Sequence, residues 1–262
     1  MFFNTLTNEA FYYILYEIII NIITQRINMK FKIEEKVFNT LDNLCIAFVV
    51  AKNIDNREND KYVMDLLDNN LSKAQKELEN IKIKEYSEIL CYRNAFEKLS
   101  INPNKFLSSI EAILTRVSKG KGFPHINKIV DLVNALSIKY RLPMGSHDID
   151  SMNDDFCVRY SVKGDKFLPF GKTEIELLED NELVYTCGND IRTRRWIWRQ
   201  SEYGKIVETT TNIIFPIDGF IGVNDKKVIE ARDELESILK ELFNCTTIKG
   251  FLSKENNESE EF

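Results

Sequence analysis

At 262 residues, with 44% apolar residues, ten Gly and five Pro, the chain has the composition of a soluble globular protein, which excludes disordered and fibrous classes. Its net charge of −6 runs against a protein built to coat nucleic acid. Between Cys91 and Lys205, however, 18 Lys and Arg face 15 Asp and Glu, so a locally basic surface is permitted. Five Cys at wide spacing form no C-x-x-C pair, which argues against a zinc ribbon or a disulfide framework and for reduced thiols in a cytoplasmic protein.

In chain order, residues 11–23 (FYYILYEIIINII) are the most apolar stretch, but they contain Glu17 and Asn21 and fall short of the roughly 20 residues that cross a bilayer. Residues 1–28 read as an apolar extension ahead of a natural start at Met29, or as an amphipathic helix for a partner or membrane surface. MKFKIEEKVF then reads as strand followed by helix. Residues 45–54 (CIAFVVAKNI) read as a buried strand and 60–82 as a charged amphipathic helix. Ile89, Tyr92, Phe96 and Leu99 recur at helical spacing until Asn102-Pro103 breaks the pattern. Ser108 and Glu111 have capping-box spacing, ahead of an apolar face of Ile110, Ile113, Leu114 and Val117, and Gly120 stops that helix.

Gly122 and Pro124 predict a turn, with Asn127 as N-cap of a helix to about Lys139. Beyond Asp150, strand-like runs recur at 156–162, 166–170, 182–187, 191–199 and 206–217. A last amphipathic helix is expected over 225–243, and the acidic tail 253–262 is expected to be disordered. The fold class expected is α+β, a mixed or antiparallel sheet packed with amphipathic helices, as a single domain over 29–252. Strand order is not legible.

Two constellations carry chemistry. Asn127, Asp131 and Asn134 stand at i, i+4 and i+7, one polar stripe on an otherwise apolar helix. Asn127 as cap and Asp131 near the positive helix end have local reasons to exist, whereas a mid-helix Asn134 has none. The second is IRTRRWIWRQ, residues 191–200. Read as one strand, it places Arg192, Arg194, Trp196 and Trp198 on one face and Arg195, Ile197 and Arg199 on the other. Arginine forks grip phosphates and aromatic faces stack on bases, which suits the 3′ end of a tRNA. Core packing of both Trp, with the arginines paired to acids, is an equal reading.

Asn127, Val130, Asp131, Asn134, Pro143, Asp148, Val158 and Arg159, followed by Gly164, Asp165 and Phe167 and then by Thr211 and Asn212, resemble in order and spacing the editing domain of the phenylalanyl-tRNA synthetase beta subunit. The likeness covers about residues 90–220. The RRW-x-W-R cluster resembles that of free-standing relatives of this domain. The resemblance implies an amino-acid-recognising, tRNA-binding domain that acts in trans as an aminoacyl-tRNA deacylase, a hydrolase of translation quality control. The alternative is a non-catalytic module that binds tRNA or a free amino acid.

The family's histidine two residues beyond the proline is Gly145 here, with His147 two residues later as the nearest substitute. On this footing His147 and Asp148 are the candidates to orient water or take its proton. Asn127, Asp131, Asn134, Gly145, Arg159, Gln200 and Asn212 are the substrate-binding candidates, and Arg192, Arg194, Arg195, Trp196, Trp198 and Arg199 the RNA-binding ones. The remaining synthetase machinery has no room in 262 residues. No cofactor, metal or membrane partner is expected: the two histidines lack ligand spacing, and no Walker loop, dinucleotide fingerprint or nucleophile elbow occurs. Asp148, Asp150, Asp154 and Asp155 lack EF-hand order and read as turn formers.

Overall fold

The computed structural model describes residues 12–17 and 29–262. The extension expected at 1–28 lies, apart from 12–17, outside the described residues. The fold is α+β, built on two sheets. The first is mixed, in the order β1 (Phe31–Ile33), β4 (Phe156–Tyr160), β7 (Leu183–Cys187), β8 (Asp190–Arg194), β5 (Lys166–Phe167), β6 (Glu176–Leu177), with β9 (Arg199–Gln200) paired to β8. The second is antiparallel, in the order β11 (Thr246–Leu252), β2 (Leu44–Lys52), β10 (Ile213–Phe220), β3 (His147–Asp148).

β2 up to Lys52, and β10 throughout, are buried and, apart from Asp218, almost wholly apolar, because both faces of the second sheet are covered. Ile46, Phe48, Val50 and Ile214 point toward the first sheet, where they meet Phe31, Phe156 and Tyr185. Ala47, Val49, Ala51, Phe215 and Ile217 point the other way, onto α5 (Lys128–Tyr140) and α6 (Asp225–Phe243). The period-2 alternation of β10 therefore sorts its side chains: the even-numbered residues 214–220 face the seam between the sheets.

Four further helices, α1 (Glu35–Phe38), α2 (Lys61–Glu77), α3 (Ser87–Lys98) and α4 (Ser109–Ser118), complete the layers. α2 begins at Asp60, whose carboxylate caps Val63 N–H, and stops at Glu77, short of the 82 read from its charge pattern. α3 carries Ile89, Tyr92 and Phe96 into the core shared by the sheets. Ser108 caps α4 through Glu111 N–H, but the reciprocal half of the capping box is missing, because Glu111 instead takes a 2.6 Å ion pair from Arg93.

Two sequence expectations change. The tail 253–262 is not disordered: Ser259 N–H and Phe262 N–H bond to the carbonyls of Phe31 and Met29, and Phe262 is buried beside Phe48. The outer edge of β1 supplies the backbone partners, Glu258 pairs with Lys30 and Lys32, and one terminal aromatic supplies the anchor, which outweighs the tail's acidic composition. The run 191–199 is not one strand. β8 ends at Arg194, and Arg195 and Trp196 take the left-handed conformation at φ of 48° and 58°, turning the chain into the β8–β9 hairpin.

Candidate functional site

A cavity of about 80 Å³ opens at the seam between the two sheets. One wall is the segment Pro143–His147, which runs antiparallel to β10: Gly145 N–H bonds Pro216 O at 2.9 Å, and β3 pairs His147 with Ile214. The opposite wall is the β8–β9 hairpin, which brings Trp198, Arg199 and Gln200 to the cavity. Gln200 Nε2 reaches across to Ser146 O at 2.8 Å, tying the hairpin to the loop. Ser109 N–H donates to Ile197 O at 2.8 Å, so the start of α4 holds the hairpin turn from behind.

The cavity floor is Asp218 on β10, only 2% exposed. Tyr185 O–H and Trp196 Nε1–H both donate to its Oδ1, at 2.6 and 2.7 Å, and Oδ2 accepts no hydrogen bond from the described residues. Tyr92 O–H holds the Asp218 carbonyl at 3.0 Å and itself accepts from Asn224. All the side-chain partners of the carboxyl are neutral, so burial pushes its pKa up to about 7, with the two hydrogen bonds opposing.

His147 is 2% exposed, with its ring against Phe156 and stacked on Tyr185 at centroid distances of 5.0 and 6.1 Å. Its Nδ1 has no partner among the described residues, and burial, aided by the nearby Arg192 guanidinium, pushes its pKa down to about 3. A Cβ placed on Gly145 would lie 3.4 Å from His147 Nε2. Residues i and i+2 share a face of an extended segment, so the imidazole tip reaches back toward the space that a side chain at 145 would enter.

Of the catalytic and binding candidates read from sequence, Gly145, His147, Gln200, Trp196, Trp198 and Arg199 meet at this cavity, and the others do not. Asp148 points away, as strand alternation requires of the residue after His147, and its carboxylate caps the turn through Asp150 N–H, so the two cannot act as a pair. Burial raises its pKa. Asn127 caps α5 through Val130 N–H. Asp131 bonds Ile126 N–H and His125 Nδ1, at 3.0 and 2.7 Å. Asn134 is half-buried and makes no hydrogen bond among the described residues. The polar stripe therefore organises the start of α5 and does not line the cavity. Asn212 binds Asp150 and Asn53 N–H. Arg159 is engaged bidentately by Asp165, at 2.7 and 3.0 Å, and also by Gly188 O.

The four arginines of the cluster have four fates. Arg192 is buried, its guanidinium bonded to Ser151 Oγ and O and packed so closely on Gly204 that a Cβ there would lie 2.3 Å from Nη1. Arg194 pairs with Glu176 and Glu182. Arg195 lies over Phe106 at 3.9 Å and near Glu182. Arg199 alone is exposed and has no acidic partner among the described residues; it lies 5.8 Å from the Trp198 ring. Trp196 is core, with 0% exposure, and is not an RNA-stacking face.

The family model described as "B3/4 domain" matches residues 91–244. The chain belongs to the B3/4 domain family. This domain occurs in the phenylalanyl-tRNA synthetase beta subunit, and every residue lining the cavity falls within the matched B3/4 segment. β1, β2 and β11, which complete the two sheets, lie outside it. Among solved structures, an N-terminal fragment of the phenylalanyl-tRNA synthetase beta subunit from Pyrococcus horikoshii is similar at TM-score 0.45 and 10% identity, covering 86% of this chain. The chain spans 54% of that fragment's length. No curated protein matches by sequence.

Sequence reasoning missed the floor of the B3/4 cavity. Asp218 is the only acid in the apolar run IIFPIDGF, and its even parity with Ile214 and Phe220 marks it as facing the seam. That signal is visible only once β10 is known to be covered on both faces. Among the described residues no three His, Cys, Asp or Glu side chains gather at metal-ligand spacing, and no helix is long and apolar enough to cross a membrane.

Proposed function

We propose that the cavity receives the aminoacyl-adenosine end of a tRNA and that the chain acts in trans as an aminoacyl-tRNA deacylase. The observation that carries this reading is the meeting, at one opening, of the Gly145–His147 wall with the Trp198 ring and the Arg199 guanidinium, which has no acidic partner among the described residues. Arg199 offers a fork to a phosphate of the 3′ end, and Trp198 offers a face to its terminal adenine. The seam behind them takes the amino-acid side chain.

An aminoacyl ester is already activated, so its hydrolysis needs a positioned water and donors for the developing oxyanion rather than a strong nucleophile. His147 is neutral and offers one N–H and one lone pair. With a pKa of about 3 it is a weak base, so its role is to orient water rather than to remove the proton outright. This weakness is also what favours the second reading, a non-catalytic module that binds tRNA or an amino acid.

The test is hydrolysis of a panel of mischarged tRNAs by the purified chain. Ester cleavage of at least one of them above the buffer rate, reduced about tenfold or more in Arg199→Ala, is the expected result. Binding of tRNA without any hydrolysis would remove the deacylase and leave the binding module.

A further inference from the structure

We propose that Asp218 is a receptor for a primary ammonium group, so that the cavity reads the free α-amine of its ligand. The inference rests on the reading of this cavity as the aminoacyl pocket and names the chemical class that pocket selects. Asp218 is buried, its Oδ1 is pinned by Tyr185 and Trp196, and its Oδ2 has no donor among the described residues. A carboxylate taken out of water needs a counter-charge, and among the described residues no Lys or Arg bonds this one. In the empty cavity a proton serves instead.

A ligand ammonium displaces that proton and takes its counter-charge from Asp218 Oδ2 at the cavity floor. Arg199, lining the same cavity, complements the opposite, oxygen-bearing end of such a ligand. The α-ammonium is the one cation that aminoacyl groups share whatever their side chain, so this contact recognises the class and leaves the choice of amino acid to the walls.

The titratable and charged groups on the Asp218 side of the seam are Tyr185 from β7, Tyr92 from α3, His147 from β3 and Arg199 at the opening, while Cys45 on β2, paired opposite Gly219, points to the other face of the sheet. Both tyrosines are pushed well above their ordinary value by burial, Cys45 is pushed up to about 12 and His147 down to about 3. Asp218 is thus the group among them that changes charge near neutrality, and cation binding at pH 6.5 releases a proton.

The experiment is titration calorimetry of the full chain with a panel of L-amino acid amides and their N-acetyl counterparts, at pH 6.5 in two buffers of different ionisation enthalpy. At least one amide binds tenfold or more tightly than its N-acetyl form, with net proton release, and Asp218→Asn abolishes that preference. Equal binding of the two forms to the wild-type chain, no binding of any amide, or proton uptake overturns the proposal, and none of these depends on how the variant folds. Hydrolysis of mischarged tRNA together with equal binding would retain the deacylase and sink the amine receptor. Amine-dependent binding without hydrolysis would do the reverse.

Discussion

Asp218 and His147 enter the seam from neighbouring strands and respond to pH in opposite directions. The folded state holds the Asp218 proton to about pH 7 instead of 3.8, so its contribution to stability is fully present below 3.8 and is lost as pH rises toward 7. His147 prefers to be neutral, so its contribution is full above 6.5 and is lost as pH falls toward 3. Between about pH 4 and 6.5 the two offset each other. Asp218→Asn keeps an acceptor for Tyr185 and Trp196 but removes the first contribution. In urea unfolding it is expected to be worse relative to wild type at pH 5 than at pH 8, by about 1–3 kcal/mol; the same difference at both pH values would contradict the assignment. Asn134 and Asp131 separate in the same assay. Asn134→Leu is expected to change stability by less than about 1 kcal/mol, because that side chain makes no hydrogen bond among the described residues. Asp131→Ala is expected to cost about 2–3 kcal/mol by stranding Ile126 N–H and His125. The cap at Asn127 was legible because capping is a local i to i+3 interaction. The burial of Asp218 was not, because it depends on a strand 126 residues from its Tyr92 partner.

At the scale of elements, the hairpin from Asp190 to Gln200 decides which arginines can meet RNA. Its alternation of basic and apolar residues reads as one strand, and no glycine or proline announces the turn at Arg195 and Trp196. Two successive non-glycine residues in the left-handed region are held there by what surrounds them: Trp196 N–H bonds Leu183 O at 2.6 Å, and the indole is locked onto Asp218. The same turn sends Trp196 inward and leaves Trp198 and Arg199 at the opening. Arg199→Ala is therefore expected to weaken tRNA binding and to reduce the slope of log K against log salt by about 0.7–0.9, the loss of one phosphate contact. Arg194→Ala should leave that slope unchanged, since Glu176 and Glu182 already neutralise it. Fluorescence anisotropy across a salt series measures both. The α5 helix, its cap and its apolar face were readable from a 3.6-residue period, as were α2, α3, α4 and α6, whereas β3 and β11 went unread: one has two residues, and the other alternates poorly on an exposed edge.

At the scale of the molecule, the second sheet is the shared layer: one face closes the cavity with the first sheet, and the other is covered by α5 and α6. The tail that seals β1 belongs to the same construction. Phe262→Ala is expected to lower stability by about 2–4 kcal/mol in denaturant unfolding, because it empties a site at 4% exposure beside Phe48, whereas a disordered tail would give no change. The α+β class followed from periodicities spread along the whole chain. The pairing of distant strands that builds the seam did not, since strand order leaves no local mark. The most direct measurement on the central claim is a crystal structure of the chain with a non-hydrolysable amide analogue of aminoacyl-adenosine. The expected result is the adenine against Trp198, the aminoacyl group in the seam and its amine on Asp218 Oδ2. The analogue bound elsewhere on the surface, with the seam empty, would contradict it.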